Sequence, residues 1–214
     1  MAQVTEGIQA FTLVLESIAD NKYVLGDQLV DIGMGAPTIE AATSAIAMAQ
    51  GELGHARVLY NWVFELRGGT GPKPEIRGQT GKAFQFVHDA NDWISLIAAL
   101  YTVDVAHDLV LRNVLEQRRA DVATRIHKLI KEQKEHILYS YGWSVSMLND
   151  QGSIPSRYRK ALEKNIPEAV KWLEEVENNS ALVAEGFIAK DAGFAKKFRE
   201  TIDELLGKKG TVAV

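Results

Sequence analysis

A glutamate and a histidine, Glu52 and His55 of "GELGHAR", interrupt the otherwise apolar stretch "IAMAQGELGHARVLYNWVF". Residues three apart on a helix share a face, so the pair could grip one cation together or bridge two. Asp104 and His107 in "VDVAH" repeat the carboxylate–x–x–His spacing. A third histidine, His136 in "KEQKEHILYSYGW", follows Gln133 at the same interval and Glu132 one residue further back. Mixed carboxylate and imidazole donors suit non-haem iron or manganese. The chain has no cysteine, which removes disulfides, Fe–S clusters and thiol chemistry from consideration and fits a reducing compartment.

The elements that must position these residues are read from hydrophobic periodicity, which is helical in four long segments. The first runs from about Thr5 to Ile32 and stops at "GMGAP"; the second runs from near Thr38 to Leu66 and stops at "RGGTGPKP". An irregular stretch from Gly68 to about Gly81 follows. The third helix spans about Ala90 to Gln117, and after a tight turn near Asp121 the fourth runs to about Leu148. "NDQGSIPS" then breaks the chain, with Ser156 as the expected N-cap of a fifth helical region from about Arg157 to Val183, kinked or split at Pro167. A last amphipathic helix, "FAKKFRETIDELL", completes the pattern, and no strand alternation or repeat is visible. Helices of about 25 residues are about 40 Å long. Four of them with short connections predict an all-α protein, a four-helix bundle with additional C-terminal helices packed outside it. The expected layout is one domain over 1–214, with the bundle at about 5–149 and the C-terminal helices at about 156–207.

The inward stripe of each helix can then be followed. The first carries Phe11, Leu15, Ile18, Lys22, Leu25, Leu29 and Ile32; the second Ala42, Ala45, Ala49, Glu52, Ala56, Leu59 and Val63, flanked by Leu53 and His55. The third carries Trp93, Ile97, Leu100, Asp104, His107, Leu111 and Val114; the fourth Val122, Ile126, Leu129, Gln133, His136, Ser140 and Trp143. Every stripe is apolar at its ends and polar near its middle. Antiparallel neighbours would bring those middles to one level. Buried carboxylates and imidazoles are costly unless paired or bound to a cation.

Bundles that hold two metal ions use a Glu from each of two helices and Glu-x-x-His from each of the other two. This chain departs twice: Lys22 stands where a carboxylate is wanted, and Gln133 stands three before His136, with Glu132 one residue off. The candidate ligands are Glu52, His55, Asp104 and His136, with Glu132 and His107 as further candidates. Two arrangements remain open: an internal salt-bridge cluster in which Lys22 supplies the positive charge, and a one-metal site with Lys22 turned aside. The metal-free arrangement is slightly favoured, with iron or manganese as the ion otherwise.

Other features limit the function classes. A net charge of −4 gives no reason to expect a nucleic-acid partner, and the short basic pairs in "QRRA" and "GKKG" read as solvated surface. The stretch "MAQVTEGIQ" lacks a signal-peptide pattern, and no uninterrupted apolar run has the length of a membrane span. A cytoplasmic location is expected. His88, Asp89 and Asp92 in "FVHDANDW" read as the capped start of the third helix, His127 as surface, and Trp62, Trp93, Trp143 and Trp172 as core or interface anchors.

The segments "ADNKYVLGDQLVDIGMGAPTIE", "ELGHARVLYNW", "VDVAH", "KEQKEHILYSYGW" and "VAEGFIAKDAGF" resemble, in order, the ferritin-like subunits of the bacterial phenylacetyl-CoA epoxidase. The likeness is closest to the C-type structural subunit, through "NKYVLGDQL", "GAP" and "HILYSYGW". The resemblance implies a ferritin-like bundle and a complex that inserts one oxygen atom of O2 into the ring of phenylacetyl-CoA, with electrons from a separate reductase. In the A-type subunit of that family a di-iron site occupies the positions matched here by Lys22, Glu52, His55, Asp104, Gln133 and His136. The C-type subunit lacks that site and supports the A-type chain, and Lys22 and Gln133 agree with such a role. The implied partner is a di-iron catalytic subunit or a second copy of this chain. The alternatives are a metal-dependent oxidoreductase in its own right, using a degenerate iron or manganese site, and iron storage.

Overall fold

The computed structural model describes residues 5–76, 78–118 and 120–207; Lys208 and Lys209 of "GKKG", Arg119 of "QRRA" and the first four residues lie outside them. Eight α-helices and no strand occur among the described residues. Helix α1 (Glu6–Asp31) starts where the Thr5 hydroxyl accepts from the Ile8 N–H, and α2 (Ile39–Leu66) where Thr38 accepts from Ala41. A single 3-10 turn, Gly33–Gly35, joins them.

The one-turn helix α3 (Gln85–His88) precedes α4 (Trp93–Glu116). "FVHDANDW" is therefore not one continuous helix start. Asp92 caps α4 through a reciprocal capping box with Ser95, which ends the preceding turn and begins a new axis. Helix α5 (Ala120–Leu148) follows a turn at Gln117–Arg118, slightly earlier than Asp121, with Arg118 in the left-handed region at φ 55°.

Helix α6 (Ile154–Glu177) begins before the expected cap at Ser156. Pro155 in the first turn removes an N–H that has no intrahelical partner there, so the helix starts around the proline. Nor does Pro167 split it. That ring lies on the exposed side, while Leu162, Ala169, Val170 and Leu173 are buried on the other. The chain instead breaks at Asn179, whose side chain accepts from Ala181 and Leu182 N–H and opens α7 (Ser180–Ala184). Helix α8 (Phe194–Gly207) buries Phe194, Phe198, Ile202 and Leu205.

Helices α1 and α2 are antiparallel, with Lys22 beside Glu52 and Phe11 edge-on to Trp62. Helices α4 and α5 are likewise antiparallel, pairing Asp104 with Gln133 and Trp93 with Trp143. Across the two hairpins α2 and α5 also run opposite ways, as Glu52 meets His136 and Glu65 meets Arg125. Helices α2 and α4 must then run in the same direction, so the chain returns the length of the bundle between them. That single long crossover makes this a ferritin-like bundle.

The return is laid along α1. Asp20, fully buried, accepts from the Thr80 N–H and hydroxyl, the Lys82 N–H and the Tyr60 hydroxyl, and Asn21 accepts from the Phe84 N–H. Close approach of α1 to α2 depends on Gly26, where a Cβ would lie 2.6 Å from the Leu53 side chain. Helix α4 is long and apolar enough to cross a membrane by length and composition. Here it is enclosed by α1, α5, α6 and α8, and each of its fully buried Leu, Ile and Val side chains contributes about 1.5–3 kcal/mol.

Candidate metal centre

The four polar interruptions do meet. The Lys22 Nζ is 2.9 Å from Glu52 Oε2, donates to Gln133 Oε1 and lies 3.7 Å from Asp104 Oδ1. Gln133 completes the line by donating from Nε2 to Asp104 Oδ1. All four side chains are fully buried, one from each bundle helix. An amide can accept at one end and donate at the other, which is why glutamine rather than glutamate fits between an ammonium and a carboxylate.

The histidines divide. His136 pairs through Nδ1 with Glu52 Oε1. His55 lies beside it, ring centroids 5.5 Å apart, with its Nε2 at 2.8 Å from Glu132 Oε2. Glu132 stands at the rim of a groove between α2 and α5 that Gly51, Gly54 and Val58 also line. His107 is fully buried between Phe84 and Trp172, and neither of its ring nitrogens has a hydrogen-bond partner. It faces the α3 and α6 side of α4 rather than the Glu52–His136 pair.

Charge follows from these contacts. Burial pushes the Glu52 carboxyl up, but Lys22 and then His136 outweigh it and hold Glu52 below the usual carboxylate range. Burial, reinforced by the Glu52 charge, raises Asp104 to about 7 against the pull of Lys22. Burial and then the Lys22 charge lower His55 to about 4 and His107 well below its ordinary value, so both are neutral near pH 7. For His136 burial lowers the value, yet the Glu52 hydrogen bond and charge prevail and raise it. The hydrogen bond from His55 is the main cause lowering Glu132.

These residues do not fit a two-metal centre. The Lys22 ammonium occupies the middle of the layer, within hydrogen-bond reach of Glu52 and Gln133, and the layer holds two buried carboxylates rather than four. A smaller group does fit one ion. One donor atom each from Glu52, His55 and His136 lie within 4.8 Å of one another, and all three residues are buried. His55 Nδ1 and Asp104 Oδ2 are buried atoms without a partner.

The sequence places Lys22, Glu52, His55, Asp104, His107, Gln133 and His136 in one layer. The structure brings Lys22, Glu52, Asp104, Gln133 and His136 together, with His55 and Glu132 beside them on the α2–α5 side, and sets His107 apart against Phe84 and Trp172. Sequence reasoning missed Asp20, Asn21 and Glu16, all buried on α1. The signal was the run "ADNK", polar at successive positions, which places side chains on more than one side of the helix. Glu16 pairs with Arg67 and Lys82, so this second polar group serves the crossover.

No curated protein matches the chain. A family model described as phenylacetic acid catabolic protein matches residues 2–213. That match spans nearly the whole ferritin-like architecture, the central layer included, and the chain belongs to the phenylacetic acid catabolic protein family.

Proposed function

We propose that this protein is the C-type, non-catalytic subunit of a cytoplasmic phenylacetyl-CoA epoxidase, one ferritin-like domain that supports a di-iron catalytic partner. The observation that carries the reading is Lys22. Its buried ammonium, with His136 on the other oxygen of Glu52, supplies the positive charge that binds Glu52 and the Gln133–Asp104 pair across four helices. A bundle closed this way needs no pair of dications to hold its carboxylates, and it has no vacant position between them for oxygen chemistry. The partner chain then supplies the iron, the substrate pocket and the epoxidation of the aromatic ring.

Co-expression with an A-type subunit of the family tests this. A stable complex is expected by size-exclusion chromatography, with two irons per pair of chains, all lost on mutation of the partner's ligands. Phenylacetyl-CoA turnover should survive Glu52→Gln in this chain. Loss of turnover with the complex intact, or two irons in this chain alone, would overturn the reading. The alternative of an oxidoreductase in its own right draws on the Glu52, His55 and His136 grouping, and it predicts oxygen consumption by the isolated chain loaded with iron.

A further inference from the structure

We infer that one end of the bundle, where α1 and α5 finish and α2, α4 and α6 begin, docks a second, different protein. The docking segment carries a bulky apolar side chain set among lysines and arginines. This end is separate from the polar layer: Ile39 lies about 20 Å along α2 from Glu52.

Six large apolar side chains are exposed among the described residues, and Met34, Ile39 and Leu138 are three of them. Met34 and Ile39 bracket Gly35 and Pro37, which line a cavity of about 440 Å³ with Trp93, Trp143 and Met147. Leu138 lines an adjoining hollow that shares Trp143. The Tyr139 hydroxyl, donating to the Ala41 carbonyl, ties this stretch of α5 to the start of α2. Exposed apolar side chains gathered around a cavity mark a contact site. Trp93 stands edge-on to Trp143 in the cavity wall and is 8% exposed, yet its indole N–H has no partner. A buried indole N–H normally finds an acceptor, and leaving it without one is costly. The backbone carbonyl beside an inserted side chain is an acceptor that a docking segment brings with it.

Charge selects the occupant. No lysine or arginine occurs between Lys22 and Arg57 or between Lys134 and Arg157, the stretches that build most of this end. Exposed carboxylates stand at Asp31, Glu40 and Asp150, and the Asp31 charge adds to burial in raising Asp27. Arg157, the one cation lining the cavity, is already paired with Asp92. A second copy docked face to face would set these acids against themselves. Anionic lipid would be repelled as well. Basic residues around an apolar anchor complement both the rim and the floor.

The test puts photo-crosslinking p-benzoylphenylalanine in place of Ile39 in the full-length chain, in its native cells. Leu13, exposed on α1 beside α6 and α7, is the control position. One protein is expected to crosslink at Ile39 and not at Leu13, through a peptide with a bulky apolar residue flanked by Lys or Arg. Purified and titrated, that protein should bind Trp143→Ala about thirtyfold more weakly. Asp31→Lys/Asp150→Lys, which changes only exposed charge, should weaken binding about tenfold and flatten its salt dependence. Circular dichroism separates lost binding from lost fold, and the charge variant carries the test if Trp143→Ala does not fold. Crosslinking to a second copy of this chain, to lipid or to a peptide without basic residues would overturn the inference. So would no crosslink at Ile39, equal crosslinking at Leu13, or unchanged binding by the charge variant. The subunit assignment stands through each of these failures, because Lys22 carries it.

Discussion

The two hairpins of the bundle contribute to the same layer with opposite charge logic. Hairpin α1–α2 brings an ammonium and, 30 residues on, a Glu-x-x-His; hairpin α4–α5 brings a carboxylate and, 29 residues on, a Gln-x-x-His. The spacing is nearly the same, but each hairpin lacks one carboxylate of a symmetric four-carboxylate centre. The first replaces it with a cation, the second with an amide. The replacements work as a pair: Lys22 needs an acceptor from the second hairpin, and Gln133 supplies it while steadying Asp104. The layer is paired within each hairpin, Lys22 with Glu52 and Gln133 with Asp104, and closed across the two by Lys22 with Gln133 and His136 with Glu52.

The largest test of that comparison is Lys22→Met. It leaves Glu52 and Asp104 without the ammonium between them and should cost about 3–5 kcal/mol in urea unfolding. A loss under about 1 kcal/mol would mean that the lysine is not what joins the halves. Gln133→Glu comes next: it removes the donor to Asp104 and sets two carboxylates face to face, costing about 1–3 kcal/mol at neutral pH. The cost should shrink as the pH falls and the pair takes up a proton, and a cost independent of pH would argue against the amide's bridging role.

A pH series sharpens the contrast between the histidines. His55 and His107 stay neutral in the fold at pH values where the unfolded chain, with imidazoles near 6.5, is protonated. Each therefore removes stability as the pH falls below about 6.5, by about 1.4 kcal/mol per pH unit and per proton. For His55 that loss ends near pH 4. His136 acts in the other direction, stabilising below its raised value and losing that contribution as the pH rises through it. Denaturation midpoints of His107→Phe against the parent should show the acid slope reduced by one proton, and an unchanged slope would remove His107 from this account. Outside the layer, Tyr60→Phe deletes one of the bonds to Asp20 and should cost about 0.5–1.5 kcal/mol, the smallest effect of the four.

Much of this was legible in the sequence where a local rule acts alone. Thr5 and Thr38 mark helix starts, and the interrupted stripes placed Lys22, Glu52, Asp104, Gln133 and His136 at one level, because several turns of apolar residues fix each face. What escaped depends on neighbours. Pro167 reads as a break until its ring is seen on the solvent side of a helix held by Leu162, Val170 and Leu173. His107 shares a stripe with Asp104, yet one turn along the helix its ring meets Phe84 and Trp172 instead of the layer. Asp20 draws no reading at all, because three of its donors come from the crossover some 60 residues further along. Gln133 reads as a defect in a motif until the lysine beside it shows which atoms it must satisfy.

The strap on Asp20 has a consequence for how the chain can be taken apart. Residues 70–75 of the crossover are exposed, while Arg67 is tied to Glu16 on one side of them and Thr80 and Lys82 to Asp20 on the other. A cut in that stretch leaves the first piece with a buried acidic groove and the second with the donors that fill it. The first piece keeps the Lys22–Glu52 pair, but the second carries Asp104 and Gln133 without the ammonium that faces them. Two such fragments should remain separate and disordered in isolation and become one folded particle on mixing, a natural two-part reporter divided at the crossover.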